Sequence, residues 1–248
     1  MHLVNLICEH AVKAYSTIYV NLIVSFQMSV EVERKFLCNA DILKTLEEIG
    51  VCVGQRQFRD QYFDNPSFDL TLRDTWLRKR KGCWELKCPI TANVTEEPSG
   101  VQSEGAALCS RYREITNLPE IQRRVKDVLK DICGDGETDA GRSQGDESWL
   151  SEMNLVCFAD FTTVRQSFTL EEKGVQIDLD QADFGYHVGE IEVLVPEAGD
   201  VQSALEKIER TAGKLGLTGD QQVDGKMHVY LQRNHPEHYA RLLREHVL

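Results

Sequence analysis

A small set of acids and bases stands out by type and spacing. Lys35 ends the charged alternation of EVERK, Arg78 and Arg80 alternate within WLRKR, and Lys87 closes WELK. Side chains two apart on an extended chain point the same way. Arg78 and Arg80 therefore offer paired guanidinium forks, and Lys35 and Lys87 compact charges, all suited to phosphate oxygens. Glu31 with Glu33, and Glu190 with Glu192, repeat the same spacing, and Asp178 lies nearby in DLD. Carboxylates so placed repel one another and resist ionisation unless a cation lies between them. Magnesium takes oxygen ligands, commonly one or two carboxylates completed by waters and phosphate oxygens. Cleaving a triphosphate is mainly a matter of neutralising and positioning its charge. The chemistry suggested is magnesium-assisted removal of a terminal phosphate.

These side chains need elements that aim them. From Val30 to Leu37, Glu31, Glu33 and Lys35 alternate with Val32 and Phe36, the period of a strand with one charged face. Asp41 is placed to cap a helix running to Gly50, with Ile42, Leu43, Leu46 and Ile49 on one side. VCVGQRQFRDQYFD reads as a strand ending at Asn65-Pro66, and WLRKRKGCWELK as a hairpin turning at Lys81-Gly82. LCSRYREIT puts Tyr112 and Glu114 on one strand face, and Pro119 opens a helix through about Ile132. Further strands are Asn154 to Leu170 with Arg165, Val175 to Gln181 with Asp178 and Asp180, and Tyr186 to Val195 with Glu190 and Glu192. Helices close the chain from about Asp200 to Leu215 and after Pro236, and KMHVYLQR between them has no decisive period. Pro89 to Ala107 reads as a loop, and CGDGETDAGRSQGDES as a mobile insertion. A solvated face explains alternation on any one strand. Its coincidence on several strands points to a closed barrel with charges inside and an apolar exterior packed on helices.

Composition narrows the partners. Lys+Arg 28 against Asp+Glu 40 gives a net charge of -12, which repels nucleic-acid backbones, so a small anion must find a local basic cluster. The Cys residues show no CxxC pair and no zinc spacing, and read as reduced thiols of a cytoplasmic protein. Apolar runs within residues 1–27 are broken by Glu9 and Lys13 and fall short of the roughly 20 residues of a membrane helix. That segment reads as an extension outside the fold, with Met28 as an alternative start, leaving 28–248 as a single domain. A monomer is expected.

EVERKF contains ExExK, a pattern any polar strand can carry alone, but RDQYFD, WLRKRKGCWELKCP, DLDQADFGYHVGEIE and KMHVYLQR follow it in order. This ordered set resembles the CYTH superfamily, the triphosphate tunnel metalloenzymes, and within it the vertebrate thiamine triphosphatases, from about Ser29 onward. The resemblance implies an α+β fold: a closed antiparallel β-barrel of about eight strands forming a polar tunnel, with flanking helices. It implies that Glu31, Glu33, Asp178, Glu190 and Glu192 bind magnesium, Asp178 and Glu190 also lying near the substrate. It further implies that Lys35, Arg78, Arg80, Lys87, Arg165 and Lys226 hold the phosphates, the first four serving catalysis. The implied reaction hydrolyses thiamine triphosphate to thiamine diphosphate and phosphate.

Trp76 shares a strand face with Arg78 and Arg80, so its ring is placed either to stack on a cationic thiazolium or to pack in the core. Tyr112 and Glu114 face the lumen, for proton transfer or for a structural hydrogen bond, while Trp84 and Trp149 read as packing residues. A less selective tripolyphosphatase or a CYTH-type adenylyl cyclase would use much the same acids and bases. A polyphosphate-binding module without turnover would gain nothing from the carboxylates.

Overall fold

Closure of the barrel turns inward the charged parity read for EVERK, WLRKR, WELK and GEIE. The computed structural model describes residues 28–90, 107–133, 147–196, 199–217 and 222–248. The N-terminal extension, most of the loop after Pro89 and most of the acidic segment after Cys133 lie outside the described residues. The strands are β1 (Met28–Phe36), β2 (Val51–Asp64), β3 (Trp76–Arg80), β4 (Cys83–Pro89), β5 (Cys109–Ile115), β6 (Val156–Thr169), β7 (Gln176–Ala182) and β8 (Tyr186–Pro196). They close in the order β1-β5-β4-β3-β2-β6-β7-β8, with every pairing antiparallel. β1 pairs with β5 on one side and β8 on the other, which removes the sheet edge.

Local chemistry sets the turns. At the β3–β4 hairpin Lys81 (φ 51°) and Gly82 (φ 82°) are both left-handed, the two-residue turn whose twist suits an antiparallel pair. Gly189 answers a different need: a Cβ there would meet the Phe36 ring at 2.3 Å, so the ring can lie on the β8 backbone only over glycine.

The helices are α1 (Ala40–Ile49), α2 (Leu118–Cys133), α3 (Ser148–Glu152), α4 (Val201–Lys214), α5 (Lys226–Asn234) and α6 (Pro236–Arg244). Val32, Ile177, Ile191 and Val193 on the outer barrel face pack against Leu46 of α1 and Ala204, Leu205 and Ile208 of α4. A second cluster joins Leu77, Leu86 and Ile115 to Ile121 and Val125 of α2 and to Trp149 of α3. Trp84 and Trp149 meet edge to face there at 5.1 Å, as packing residues. The third cluster lies on the inward parity: Tyr62, Trp76 and Phe161 pack on Met227 and Leu231 of α5 and Leu242 of α6.

One expectation is corrected, and the segment without a decisive period takes a definite form. The cap of α1 is Asn39, whose side chain accepts from the Ile42 amide at 2.8 Å, and Asp41 sits in the first turn, where its charge favours the helix N-terminus. KMHVYLQR is helical, as α5: Met227 and Leu231, four apart, turn into the third cluster, a spacing too short to reveal its period in sequence.

Candidate active site

The inward parity lines a cavity of about 560 Å³, a size that accommodates a small-molecule ligand. Glu31, Glu33 and Lys35 reach it from β1, Trp76, Arg78 and Arg80 from β3, Lys87 from β4, Arg165 from β6, and Glu190 and Glu192 from β8. Lys226 enters from the first turn of α5. Asp178 of β7 shares the inward parity but is wholly buried, and it does not line the cavity.

Each expected phosphate base is already held by a carboxylate. Arg80 forks onto Asp60 at 2.6 and 2.7 Å, and Arg78 bonds Glu85. Lys87 meets Glu31 and Lys35 meets Glu33. Arg165 forks onto Asp180 at 2.6 Å through both nitrogens, bonds Asp178, and reaches Glu190 at 2.9 Å. Lys226 contacts Asp180 and lies 2.9 Å from Glu190. Asp178 also accepts from Ser167 at 2.6 Å and Gln176 at 2.9 Å.

For Glu190, Lys87 and Glu33 the opposite charge of the partners outweighs burial. Burial works against Glu190, but Lys226, Arg165 and Lys35 outweigh it and keep its carboxyl well below the usual range. Burial likewise opposes the Lys87 charge, and Glu31 and Glu33 overcome it, raising the ammonium pKa. Glu33 is lowered in the same way by Lys35 and Lys87. The opposite holds where acids crowd. Glu31 is raised by burial and by Glu33 and Glu114, although Lys87 opposes this. Burial, with Glu31, Asp178 and Glu190 adding repulsion, pushes Glu192 up to about 8.

This acid excess is the observation against which a metal is tested. Glu33 lies directly across from Glu192 in the β1–β8 register, and Glu31 is two residues along the same face. A cation beside these oxygens would relieve the repulsion that raises Glu31 and Glu192. Among the described residues no three of His, Cys, Asp and Glu converge tightly enough to enclose an ion unaided. The donor set therefore fits an ion that takes part of its shell from water and from substrate oxygens, as magnesium does.

Residues 29–225 match the family model described as CYTH domain. The chain belongs to the CYTH family. It is 39% identical over 224 residues to the thiamine-triphosphatase of Homo sapiens, covering 86% of this chain and 89% of that protein. The thiamine-triphosphatase of Macaca fascicularis matches with the same identity and coverage. In fold the chain is similar to the PH1819 protein from Pyrococcus horikoshii OT3, at TM-score 0.51 and 20% identity, covering 82% of this chain and 99% of that one.

Several residues that shape this CYTH site had not been assigned a role from sequence. Asp60 and Asp180 hold the arginine forks, and their signal was available: each lies on an inward parity, beside Tyr62 in RDQYFD and beside Asp178 in DLD. Phe58 lies under two of the bases, with the Arg80 guanidinium 4.0 Å and that of Arg165 5.4 Å from its ring centroid. Arg56 lines the cavity directly opposite Arg165 on β6. Trp76 is 8% exposed and packs in the third cluster, and it also lines the cavity. Tyr112 makes a structural hydrogen bond, donating to Asp74 at 2.9 Å.

Proposed function

We propose that this chain hydrolyses thiamine triphosphate to thiamine diphosphate and phosphate in the barrel lumen, with magnesium. The observation that carries the reading is the complete pairing of Lys35, Arg78, Arg80, Lys87, Arg165 and Lys226 with carboxylates around one cavity. A polyanion entering there takes over the bases from some of those carboxylates, so the cations stay paired throughout. Some of the acids so released join Glu192 as oxygen donors of the kind a divalent cation needs. Glu31, Glu33 and Glu192 would hold it, joined by Glu190 and Asp178 once phosphate takes over Arg165 and Lys226. When bound, magnesium neutralises charge on the phosphate oxygens and fixes their positions. The bases do the remaining work, holding the terminal phosphorus for attack by water. A bond forms from the water oxygen to that phosphorus, and its bond to the bridging oxygen breaks. The bridging oxygen leaves on thiamine diphosphate, and the protons of the attacking water go to the released phosphate and to solvent.

The thiamine part of the reading is supported by the 39% identity to curated thiamine-triphosphatases and by Trp76, which lines the cavity together with Arg78. Residues 28–248 would act as one cytoplasmic, monomeric domain, consistent with scattered free thiols and a net charge of -12. Among the described residues no helix is long and apolar enough to cross a membrane. The test is phosphate release from thiamine triphosphate, ATP and tripolyphosphate, each with magnesium or with chelator. The expected result is magnesium-dependent turnover with thiamine triphosphate preferred. Undiminished turnover in chelator would sink the metal role, and equal efficiency with ATP would sink the thiamine assignment.

A further inference from the structure

The edge of the cavity around Trp76 is organised by a carboxylate outside the phosphate-binding set. Asp74 Oδ1 accepts from the Trp76 indole N–H at 2.8 Å and from the Tyr112 hydroxyl at 2.9 Å, so one oxygen pins two cavity-lining rings. The rings come from β3 and β5, strands separated in the barrel by β4, and their own backbone ladders do not join them. Asp74 is itself fixed. It closes the 3₁₀ turn Thr71–Arg73 in a left-handed conformation (φ 52°), with its amide donating to Thr71 at 3.0 Å. That turn hangs from the buried Asp64 carboxylate, which accepts from the Leu70 and Thr71 amides at 3.0 and 2.8 Å. Asp is one of the few side chains that tolerates such a conformation and also offers an acceptor.

We propose that Asp74 is a positioning residue for substrate selectivity, holding the Trp76 and Tyr112 rings in the one orientation that receives a cationic heteroaromatic group. The inference rests on the thiamine triphosphate reading above and deepens it. An indole free to rotate about its side-chain torsions presents its edge as often as its face, and a cation is attracted only to the face. Anchoring the N–H edge to Asp74 leaves the face for the ligand, and an anionic acceptor on the N–H enriches that face in electron density. Asp74 does not itself line the cavity, so phosphate recognition and selectivity are carried by separate groups.

The experiment uses the full chain with Asp74→Gly, which keeps the left-handed backbone but loses the acceptor, and Asp74→Asn, which keeps both backbone preference and Oδ1. For Asp74→Gly, kcat/KM on thiamine triphosphate should fall roughly tenfold, mainly through KM, with tripolyphosphate changed by no more than about twofold. Asp74→Asn should stay within about threefold of wild type on both substrates. In a Trp76→Ala, Tyr112→Phe background, Asp74→Gly should add less than about twofold, because its action runs through those rings. Near-ultraviolet circular dichroism supplies a substrate-free readout: Asp74→Gly should lose the tryptophan signal that Trp76→Phe removes. Equal losses on both substrates, Asp74→Asn as impaired as Asp74→Gly, or an unchanged dichroism signal would each overturn the proposal. A wild type that cleaves tripolyphosphate but not thiamine triphosphate would instead overturn the substrate reading, while the dichroism would still decide whether Asp74 orients the rings.

Discussion

Acid should loosen the α6 side of the barrel, and His238 sets how much. Its ring is 5% exposed, stacks on Phe68 at 3.8 Å and 14°, and lies 2.9 Å from Thr71 Oγ1 through Nε2. Its Nδ1 has no hydrogen-bond partner among the described residues, so a proton added to the imidazole would leave a ring nitrogen without an acceptor. Burial, and then the neighbouring Arg241 and His235, push its pKa from 6.5 down to about 4. The unfolded chain therefore takes up a proton near pH 6.5 while the folded chain does not. The His238 contribution to stability is complete above that pH and is lost as pH falls toward 4. The loss is about 2 kcal/mol near pH 5 and at most about 3 kcal/mol by pH 4. For a domain of this size about 2 kcal/mol corresponds to roughly 4–8 °C in Tm. His238→Gln does not titrate and can keep a hydrogen bond to Thr71. Thermal melts at pH 7.5 and 5 should show the wild-type midpoint falling roughly 4–8 °C further than that of the variant, the comparison cancelling every other titrating group. Parallel declines in the two proteins would refute the assignment of this acid sensitivity to His238.

The remaining expectations concern the lumen and the chain ends. Arg78→Ala and Arg80→Ala should each lower kcat/KM by about 3 kcal/mol, roughly a hundredfold, whereas exposed Arg123→Ala should match wild type in steady-state assays. Glu33→Gln and Glu192→Gln should keep the fold by circular dichroism yet lose most turnover, with a higher magnesium requirement in titrations of rate against metal. Calcium should support less turnover than magnesium, because its looser shell positions phosphates less rigidly. A chain starting at Met28 should equal the full chain in Tm and turnover, and a clear deficit in either would place residues 1–27 in the functional unit.

Much of this protein is decided by parity, which is a local property. The alternation in EVERK, WLRKR, WELK and GEIE assigns each charge to one side of its strand, and Lys81-Gly82 turns β3 into β4, whatever the rest of the chain does. Much of the charged lumen set could therefore be named from sequence, and the opposite side of the same strands, with Val32, Leu77, Leu86 and Ile191, carries the helices. What lies opposite each charge is not local. Only closure of β1 onto β8 sets Glu33 across from Glu192, and only the β6–β7 register gives Arg165 to Asp180. The helical state of α5, which delivers Lys226 to Asp180 and Glu190, follows from burial of Met227 and Leu231 against Tyr62 and Trp76, and a short polar segment does not advertise that contact. The link from Asp74 to Trp76 and Tyr112 likewise depends on β5 reaching the barrel beside β4. Sequence fixes which face a side chain occupies because backbone geometry repeats every two residues. Tertiary structure chooses its partner, because register and closure couple residues far apart in the chain.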